Sequence, residues 1–493
     1  MIMRNVAKYI VLTMVAFMML FPGKVLAENM SLEQAVRTAL ENNDKIKQYR
    51  AKLDQTKYAD REASGNFLPS ISLQAGYNHM NDPLSIDLSP IREAMIQIQA
   101  GNQVEFTNIY ELLGGGSALS SEERAAYYGQ YLAALDGQIP AFVETFKDQD
   151  YRTASIILVQ PLFTGGKLVA AKKAANAEKH AAEFELAKIK NEITQETINN
   201  YFAVILLQQV VQTRENVLAG MEKHRSNAQR LSDEGLIARY DLLRAEVAVA
   251  DADINLFNDR NRLELAIVAL RNTLGMDDDA PVVITDTLLY HPVADSLAEF
   301  HLRAYDQQPI LQMIAEKKKA VAQKYAVERS SFLPQVAGFG KYELYDHDLS
   351  ALEPRWIIGI QLNLNIFNGF KDHNRLLGAK SLKREVEYLE SGVRREIDLW
   401  VNKSYRDMRN AETRFRKLEA SVALSNESVR QNEKRFLTGI GTSLEVVDAH
   451  LSDEKNQVER LISLYDYYKS LTDLLVAIGR PLDMLTIWNG EEK

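Results

Sequence analysis

The chemically reactive side chains that stand out in this sequence are carboxylates that follow two glycines. Asp241 lies six residues after Gly235. Glu445 and Asp448 lie six and nine residues after Gly439. Because residues three apart are neighbours on a helix, Glu445 and Asp448 would share one face and could attract cations. The alternative is that these acids only stabilise the start of a helix through its dipole.

Signatures of an enzyme are missing from the sequence. The run Gly165-Gly166-Lys167 lacks the spacing of a phosphate-binding loop, and Gly439-Ile440-Gly441 lacks the rest of a dinucleotide motif. The eight histidines are scattered without the spacing of metal ligands. We therefore predict no catalytic activity, no cofactor and no metal site.

Both glycines belong to an internal repeat with a spacing of 204 residues, which relates Gly235 to Gly439. Each copy contains a glycine turn, a long segment, a glycine tip, and a second segment that ends in Leu-Gly or Ile-Gly. We predict one long antiparallel helical hairpin in each copy, over residues 168–275 and 371–479. At 1.5 Å per residue, a helix over 168–231 would be about 95 Å long and must pack beside other helices.

The arms of these hairpins have coiled-coil spacing, because apolar residues recur at steps of three and four. No proline lies between Pro161 and Pro281, or between Pro354 and Pro481. The apolar series are Leu243, Val247, Ala250 and Ile254; Leu263, Ile267, Leu270 and Leu274; and Leu461, Leu464, Tyr468, Leu471, Leu475 and Ile478.

Three segments instead alternate with a period of two, which predicts β-strands over 71–77, 336–344 and 356–366. Residues 151–162, whose alternation is blurred by the apolar run 156–159, are expected to be the counterpart of the last strand. An apolar face towards lipid and a polar face towards a water-filled lumen are what a transmembrane barrel strand of this length needs. The alternative is a half-buried hairpin of a soluble protein. Four strands cannot close a barrel, because the smallest known barrels have about eight, so several protomers would have to share one. The apolar face of the last strand would consist of Trp356, Ile358, Ile360, Leu362, Leu364 and Ile366.

These patterns divide the mature chain into two structural repeats of a mainly α protein with a small β part. The first repeat is predicted over 28–275 and the second over 296–479. Residues 276–295 would link them, and 480–493 would form a C-terminal tail. Each repeat would contain a helix, two strands and a long helical hairpin.

A shorter helix is expected to open each repeat. Ser31 begins a capping box and starts a helix to about Ala63, and a helix over 296–330 mirrors it. The first repeat also carries an insertion, residues 81–150, with a short helix opened by Ser120. No chemistry is assigned to this insertion.

The first 27 residues predict a secretory signal peptide, with Arg4 and Lys8 before an apolar run and Val25-Leu26-Ala27 as the cleavage site. The alternative is an uncleaved anchor. Removal of Arg4, Lys8 and Lys24 changes the net charge from −9 to −12, which suits nucleic acid poorly. Since the chain has no cysteine, we expect neither a disulfide nor a lipidated N terminus.

The sequence resembles the TolC family of bacterial outer-membrane efflux and secretion channels over essentially all of the mature chain. The resemblance implies a homotrimer in which four strands per protomer form a shared twelve-stranded β-barrel and long hairpins form an α-barrel tunnel. The motifs that carry it are Ser-Leu-Glu-Gln-Ala at 31–35, Phe-Leu-Pro at 67–69 and 332–334, Gln-Pro-Leu-Phe-Thr-Gly-Gly at 160–166, Ile-Phe-Asn-Gly at 366–369, and the tips at 234–236 and 438–440.

The resemblance also implies a role as the passive exit duct of a tripartite efflux or type I secretion system. The protein would lie in the outer membrane of a Gram-negative bacterium, in contact with lipid, with most of the chain in the periplasm. Its partners would be a periplasmic adaptor (membrane fusion protein) and an inner-membrane transporter of the RND or ABC type. The alternative is a periplasmic adaptor or a coiled-coil scaffold, and the cargo stays open among drugs, metal ions and polypeptides.

For individual residues, the resemblance implies that Asp241, Glu445 and Asp448 form rings of carboxylates at a pore constriction. The tyrosine and arginine that lock the closed entrance in relatives correspond to Phe436 and Gly441, so a closed-state latch must use other contacts. The apolar face of the last strand would face lipid. Leu236, Ile237 and Ile440 would be apolar and exposed at the hairpin tips. The tips would contact the adaptor or pack against neighbouring tips, through Gly235, Leu236, Ile237, Gly439, Ile440 and Gly441.

Overall fold

The computed structural model describes residues 29–277, 279–350 and 352–490, and the predicted signal peptide lies outside these ranges. In the described residues, no helix is both long enough and apolar enough to cross a lipid bilayer. The elements are α1 Leu32–Asn42, α2 Asp44–Gly65, β1 Ser70–His79, β2 Leu84–Asp87, α3 Ser89–Leu113, α4 Ser121–Gln138, β3 Val143–Lys147, β4 Asp150–Phe163, α5 Lys167–Asp233, α6 Arg239–Leu274, α7 Leu297–Gln307, α8 Pro309–Ser330, β5 Gln335–Glu343, β6 Trp356–Asn363, α9 Lys371–Leu437, α10 Ser443–Ala477 and α11 Asp483–Trp488.

The two long hairpins are present, and their first helices, α5 and α9, each contain 67 residues. At 1.5 Å per residue, each of these helices is about 100 Å long. The mainly α fold with two repeats is therefore confirmed.

The single helix predicted at the start of each repeat is wrong, because each is broken in two by an amide residue. Asn43 separates α1 from α2, and its side-chain Nδ2 donates to the carbonyl of Thr273 at 2.9 Å. Gln308 separates α7 from α8, and its Nε2 donates to the carbonyl of Ala477 at 2.9 Å. Each amide therefore satisfies a carbonyl in the last turn of a hairpin that would otherwise lack a partner.

Four strands form one antiparallel sheet in the order β1-β4-β5-β6. β6 ends at Asn363, so the predicted strand over 356–366 is too long by three residues. The reason is that Asn363 pairs with Gln335, the first residue of β5, and Pro334 before it has no N–H to continue the ladder. β1 pairs only with β4, and β6 only with β5, within the described chain.

The insertion contains more structure than the sequence indicated. β2 and β3 form a separate antiparallel pair, and α3 and α4 pack against each other. Ser120 opens α4 with the expected capping box, in which the N–H of Glu123 donates to the Ser120 hydroxyl at 3.3 Å. The 25-residue helix α3 was not expected, because no side chain caps its N terminus at Leu88.

The chain forms two compact units. The first contains the described residues before Glu62, Ala171–Tyr325, and the chain from Leu377; the second contains Glu62–Ala170 and Ala326–Leu376. The first unit holds a large apolar core, in which the ring of Trp488 on α11 lies 4.9 Å from the ring of Phe202. The second contains the four-stranded sheet and the insertion.

Candidate functional site

The turns at the two hairpin tips have the same backbone structure. Gly235 and Gly439 have φ angles of 74° and 73°, in the left-handed region that glycine adopts without strain. The N–H of Leu236 donates to the carbonyl of Leu231 at 2.8 Å, which closes the end of α5 in a Schellman motif. The N–H of Ile440 closes α9 in the same way at 3.0 Å. Each glycine therefore ends a helix of 67 residues.

Two of the three apolar tip residues are exposed. Leu236 and Ile440 expose 66% and 75% of their surface. The expected exposure of Ile237 is wrong, since this residue is half-buried and packs against a tip cluster. Phe436 belongs to this cluster and is 3% exposed, with its ring 4.7 Å from that of His224. The tip cluster consists of Ala228, Leu231, Leu242, Ala245, Phe436 and Val446.

The three candidate pore carboxylates have different surroundings. Glu445 accepts a hydrogen bond from the N–H of Thr442 at 3.0 Å and lies 3.7 Å from Arg435, so its carboxylate serves the capping box of α10. Asp241 is half-buried in the first turn of α6. Asp448 is exposed, and within the described chain no hydrogen bond or ion pair engages its carboxylate. Among the three candidates, Asp448 is therefore the one whose carboxylate is exposed and not engaged by the described chain.

Near the tips, a buried polar contact joins the two hairpins. His224 on α5 lies 2.9 Å from the hydroxyl of Ser443 at the start of α10, and that hydroxyl donates to the carbonyl of Asp241 at 3.0 Å. His450 lies 3.2 Å from Glu433. Burial, reinforced by the charge of His450 and opposed by that of Glu433, lowers the pKa of His224 to about 4. The imidazole of His224 is therefore neutral in the contact.

A second contact between the hairpins is ionic. Arg214 on α5 donates to Asp259 on α6 at 2.8 Å and also to Glu454 on α10. Asp259 and Glu454 are 2% and 5% exposed, so the arginine compensates two buried carboxylates. The sequence contains no local signal for either hairpin contact, because the partners are 45 to 240 residues apart.

The coiled-coil series predicted from the sequence differ in how far they are buried in the protomer. The series from Leu461 to Ile478 on α10 is buried within the protomer. The first series on α6 is exposed, as Val247 and Ile254 show with 60% and 57% of their surface accessible, whereas the second series on α6 ends in the buried residues Leu270 and Leu274. The face of the first series continues through Phe257 at 64% exposure. We call this face of α6 the outer α6 face. It consists of Leu243, Val247, Ala250, Ile254, Phe257, Leu265 and Val268.

The four-stranded sheet also leaves its apolar side uncovered. Ile358 and Ile360 on β6 expose 77% and 73% of their surface. Trp356 and Leu362 on the same side of β6 are exposed as well. Leu364 and Ile366 are exposed but follow the end of β6, so they are not part of the strand.

Comparison with known proteins identifies relatives of this chain. The family described as outer membrane efflux protein matches residues 113–276 and 303–480. The outer membrane protein VceC from Vibrio cholerae superposes with a TM-score of 0.69 at 17% identity, covering 91% of this chain and 96% of VceC. The CmeC outer membrane channel of Campylobacter jejuni superposes with a TM-score of 0.68 at 15% identity, covering 91% of this chain and 85% of CmeC.

In sequence, the chain is 24% identical over 263 residues to Protein CyaE of Bordetella pertussis, strain Tohama I. This alignment covers 52% of the chain and spans only 56% of the length of CyaE. The structural matches therefore establish a shared fold over most of the chain, and the sequence match covers about half of it.

Proposed function

The chain belongs to the outer membrane efflux protein family, and from this premise we propose that it is the exit duct of a tripartite efflux or type I secretion system. Three copies would assemble in the outer membrane, with the four-stranded sheets forming one barrel and the helical hairpins forming a periplasmic tunnel. Energy would come from an inner-membrane transporter of the RND or ABC type. The duct itself would be passive.

The observation that carries this proposal is that the protomer leaves two interfaces unfilled. The sheet ends in edge strands β1 and β6, each paired on one side only within the described chain. The outer α6 face has coiled-coil spacing, but its large apolar side chains remain exposed within the described protomer. Exposed strand edges and long apolar helix faces are both removed when identical copies close a ring.

The entrance of the duct would lie at the hairpin tips. Three copies of Asp448 would form a carboxylate ring there, and the contact between His224 and Ser443 would hold the hairpins together in the closed state. Leu236 and Ile440 would dock a periplasmic adaptor. In this arrangement the repeats over 28–275 and 296–479 supply equivalent hairpins on either side of the linker 276–295.

The test is the native mass of the full chain extracted from outer membranes in mild detergent. We expect three times the protomer mass. Val247→Asp combined with Ile254→Asp should release protomers, because it places charges in the apolar interface that the outer α6 face would form. Ala269→Asp, an exposed position beside that face, is the matched control and should stay trimeric. A wild-type monomer recovered from the soluble periplasmic fraction would exclude the shared barrel.

A further inference from the structure

The insertion is attached at one end of the four-stranded sheet, and the junctions with the helices outside the insertion lie at the other end. α2 leads into β1, β4 leads into α5, α8 leads into β5, and β6 leads into α9. Because the sheet is antiparallel in the order β1-β4-β5-β6, all four of these junctions lie at one end. The insertion connects β1 to β4 at the other end, where His79 pairs with Asp150. In the proposed duct, this end is the outer opening of the barrel.

One face of α3 is buried inside the insertion. Ile96, Ala100 and Val104 are 3%, 0% and 5% exposed, and α3 packs against α4. Arg92 on α3 forms an ion pair with Asp136 on α4 at 2.8 Å. The two helices therefore form a hairpin with its own small core, and α4 covers only one side of α3.

The opposite face of α3 is apolar and uncovered. Its apolar members expose between 49% at Ile109 and 80% at Leu113. Its residues follow steps of four, three and four, twice over, which is an 11-residue repeat. This outer α3 face consists of Ile91, Met95, Ile98, Asn102, Phe106, Ile109 and Leu113.

We propose that the outer α3 faces of three copies of this chain pack against one another across the outer opening of the barrel. The proposal rests on the trimer proposed above. An 11-residue repeat has about 3.67 residues per turn, close to the 3.6 of a straight helix, so the face runs nearly along the helix axis. Such a face suits side-by-side helices related by a threefold axis. The insertion also starts directly after β1, the edge strand that a neighbouring copy would pair with.

The polar residue in this face favours a second copy over lipid. Asn102 stands in the middle of the apolar series, with Ile98 and Phe106 one turn away on either side. In a lipid tail region its amide would lose its hydrogen bonds to water without compensation. In a bundle of identical helices the amide meets its own copies, an arrangement that fixes register in coiled coils.

The charges of α3 also favour a second copy of the chain over lipid. Helices that lie on membranes are rich in lysine and arginine on their polar side. α3 has no lysine, and its single arginine, Arg92, is engaged by Asp136. Its other charged residues are Glu93, Glu105 and Glu111.

Cysteine crosslinking tests the contact directly, because the chain has no native cysteine. The full chain carrying Asn102→Cys is treated in outer membranes with a short bis-maleimide, and Ile109→Cys provides a second position on the same face. We expect most of the protein to migrate as a covalent dimer in both variants. The matched control is Gln97→Cys, an exposed position on the other side of α3, which should stay uncrosslinked.

The native mass of the same samples separates the two levels of the proposal. A trimer in which both outer-face cysteines crosslink no more than Gln97→Cys overturns the α3 contact and leaves the duct intact. A monomer overturns the duct and the α3 contact together. Strong quenching of a bimane label at Asn102→Cys by nitroxide lipids would identify lipid as the occupant and also overturn the contact.

Discussion

At the residue scale, two carboxylates that the sequence presents as equivalent have different surroundings. Glu445 and Asp448 lie three apart at the start of the same helix, so their spacing offers both the same two interpretations, a pore carboxylate or a carboxylate that stabilises the helix dipole. The structure shows that the Glu445 carboxylate completes the capping box with Thr442, whereas that of Asp448 remains exposed. The capping role of Glu445 was readable from the sequence as the pattern Thr-x-x-Glu, which is itself a helix-start signal.

Asp448→Asn is expected to reduce the cation selectivity of the proposed duct several-fold, because it would remove the carboxylate ring proposed for its entrance. Glu445→Gln is the matched control, since glutamine preserves a capping box and should leave selectivity unchanged. The measurement is the reversal potential in a salt gradient across a planar bilayer. If Glu445→Gln shifted the reversal potential and Asp448→Asn did not, the assignment of the two residues would be reversed.

At the element scale, the sequence predicts what depends on local periodicity. The helical hairpins and three of the four strands follow from steps of three, four and two along the chain, and the fourth follows from the repeat. The breaks at Asn43 and Gln308 could not be predicted, because each depends on a hydrogen bond to a carbonyl 230 or 169 residues away. The helix α3 was missed because it begins without a capping side chain.

The contact between α5 and α10 should make the hairpin tips sensitive to acid. In the folded contact the pKa of His224 is lowered to about 4, so the imidazole is neutral there. In the unfolded chain the same residue would titrate near its usual pKa of 6.5. The stabilisation is complete above pH 6.5 and is lost as the pH falls towards 4. Between pH 7.5 and pH 5 the loss is up to about 2 kcal/mol. The groups around the imidazole are Ser443, Phe436, His450 and Glu433.

The check is the thermal unfolding midpoint of the wild type and of His224→Asn at both pH values. Carboxylates elsewhere titrate in both proteins, so the difference between their two pH responses isolates His224. We expect a smaller decrease on acidification in His224→Asn. An equal decrease in the two proteins would show that the contact carries no pH dependence.

At the scale of the whole molecule, the sequence indicates that a protomer is incomplete. It does not indicate which apolar surfaces are buried within the protomer and which are left for other copies. Four strands are too few for a barrel, and coiled-coil spacing demands partner helices. Which series is buried within the protomer could not be predicted, because the two series on α6 and the series on α10 have the same spacing. The structure separates them, since the series on α10 and the end of the second series on α6, at Leu270 and Leu274, are buried in the protomer and the outer α6 face is not.

The most direct test of the exit duct is the electrical conductance of the purified trimer in a planar lipid bilayer. We predict discrete, cation-selective conductance steps that are small in the wild type. Ser443→Ala should enlarge them, because it removes the hydroxyl that joins His224 to the carbonyl of Asp241 at the closed tips. A trimer that inserts into the bilayer but conducts no ions, in the wild type and in Ser443→Ala alike, would contradict the account.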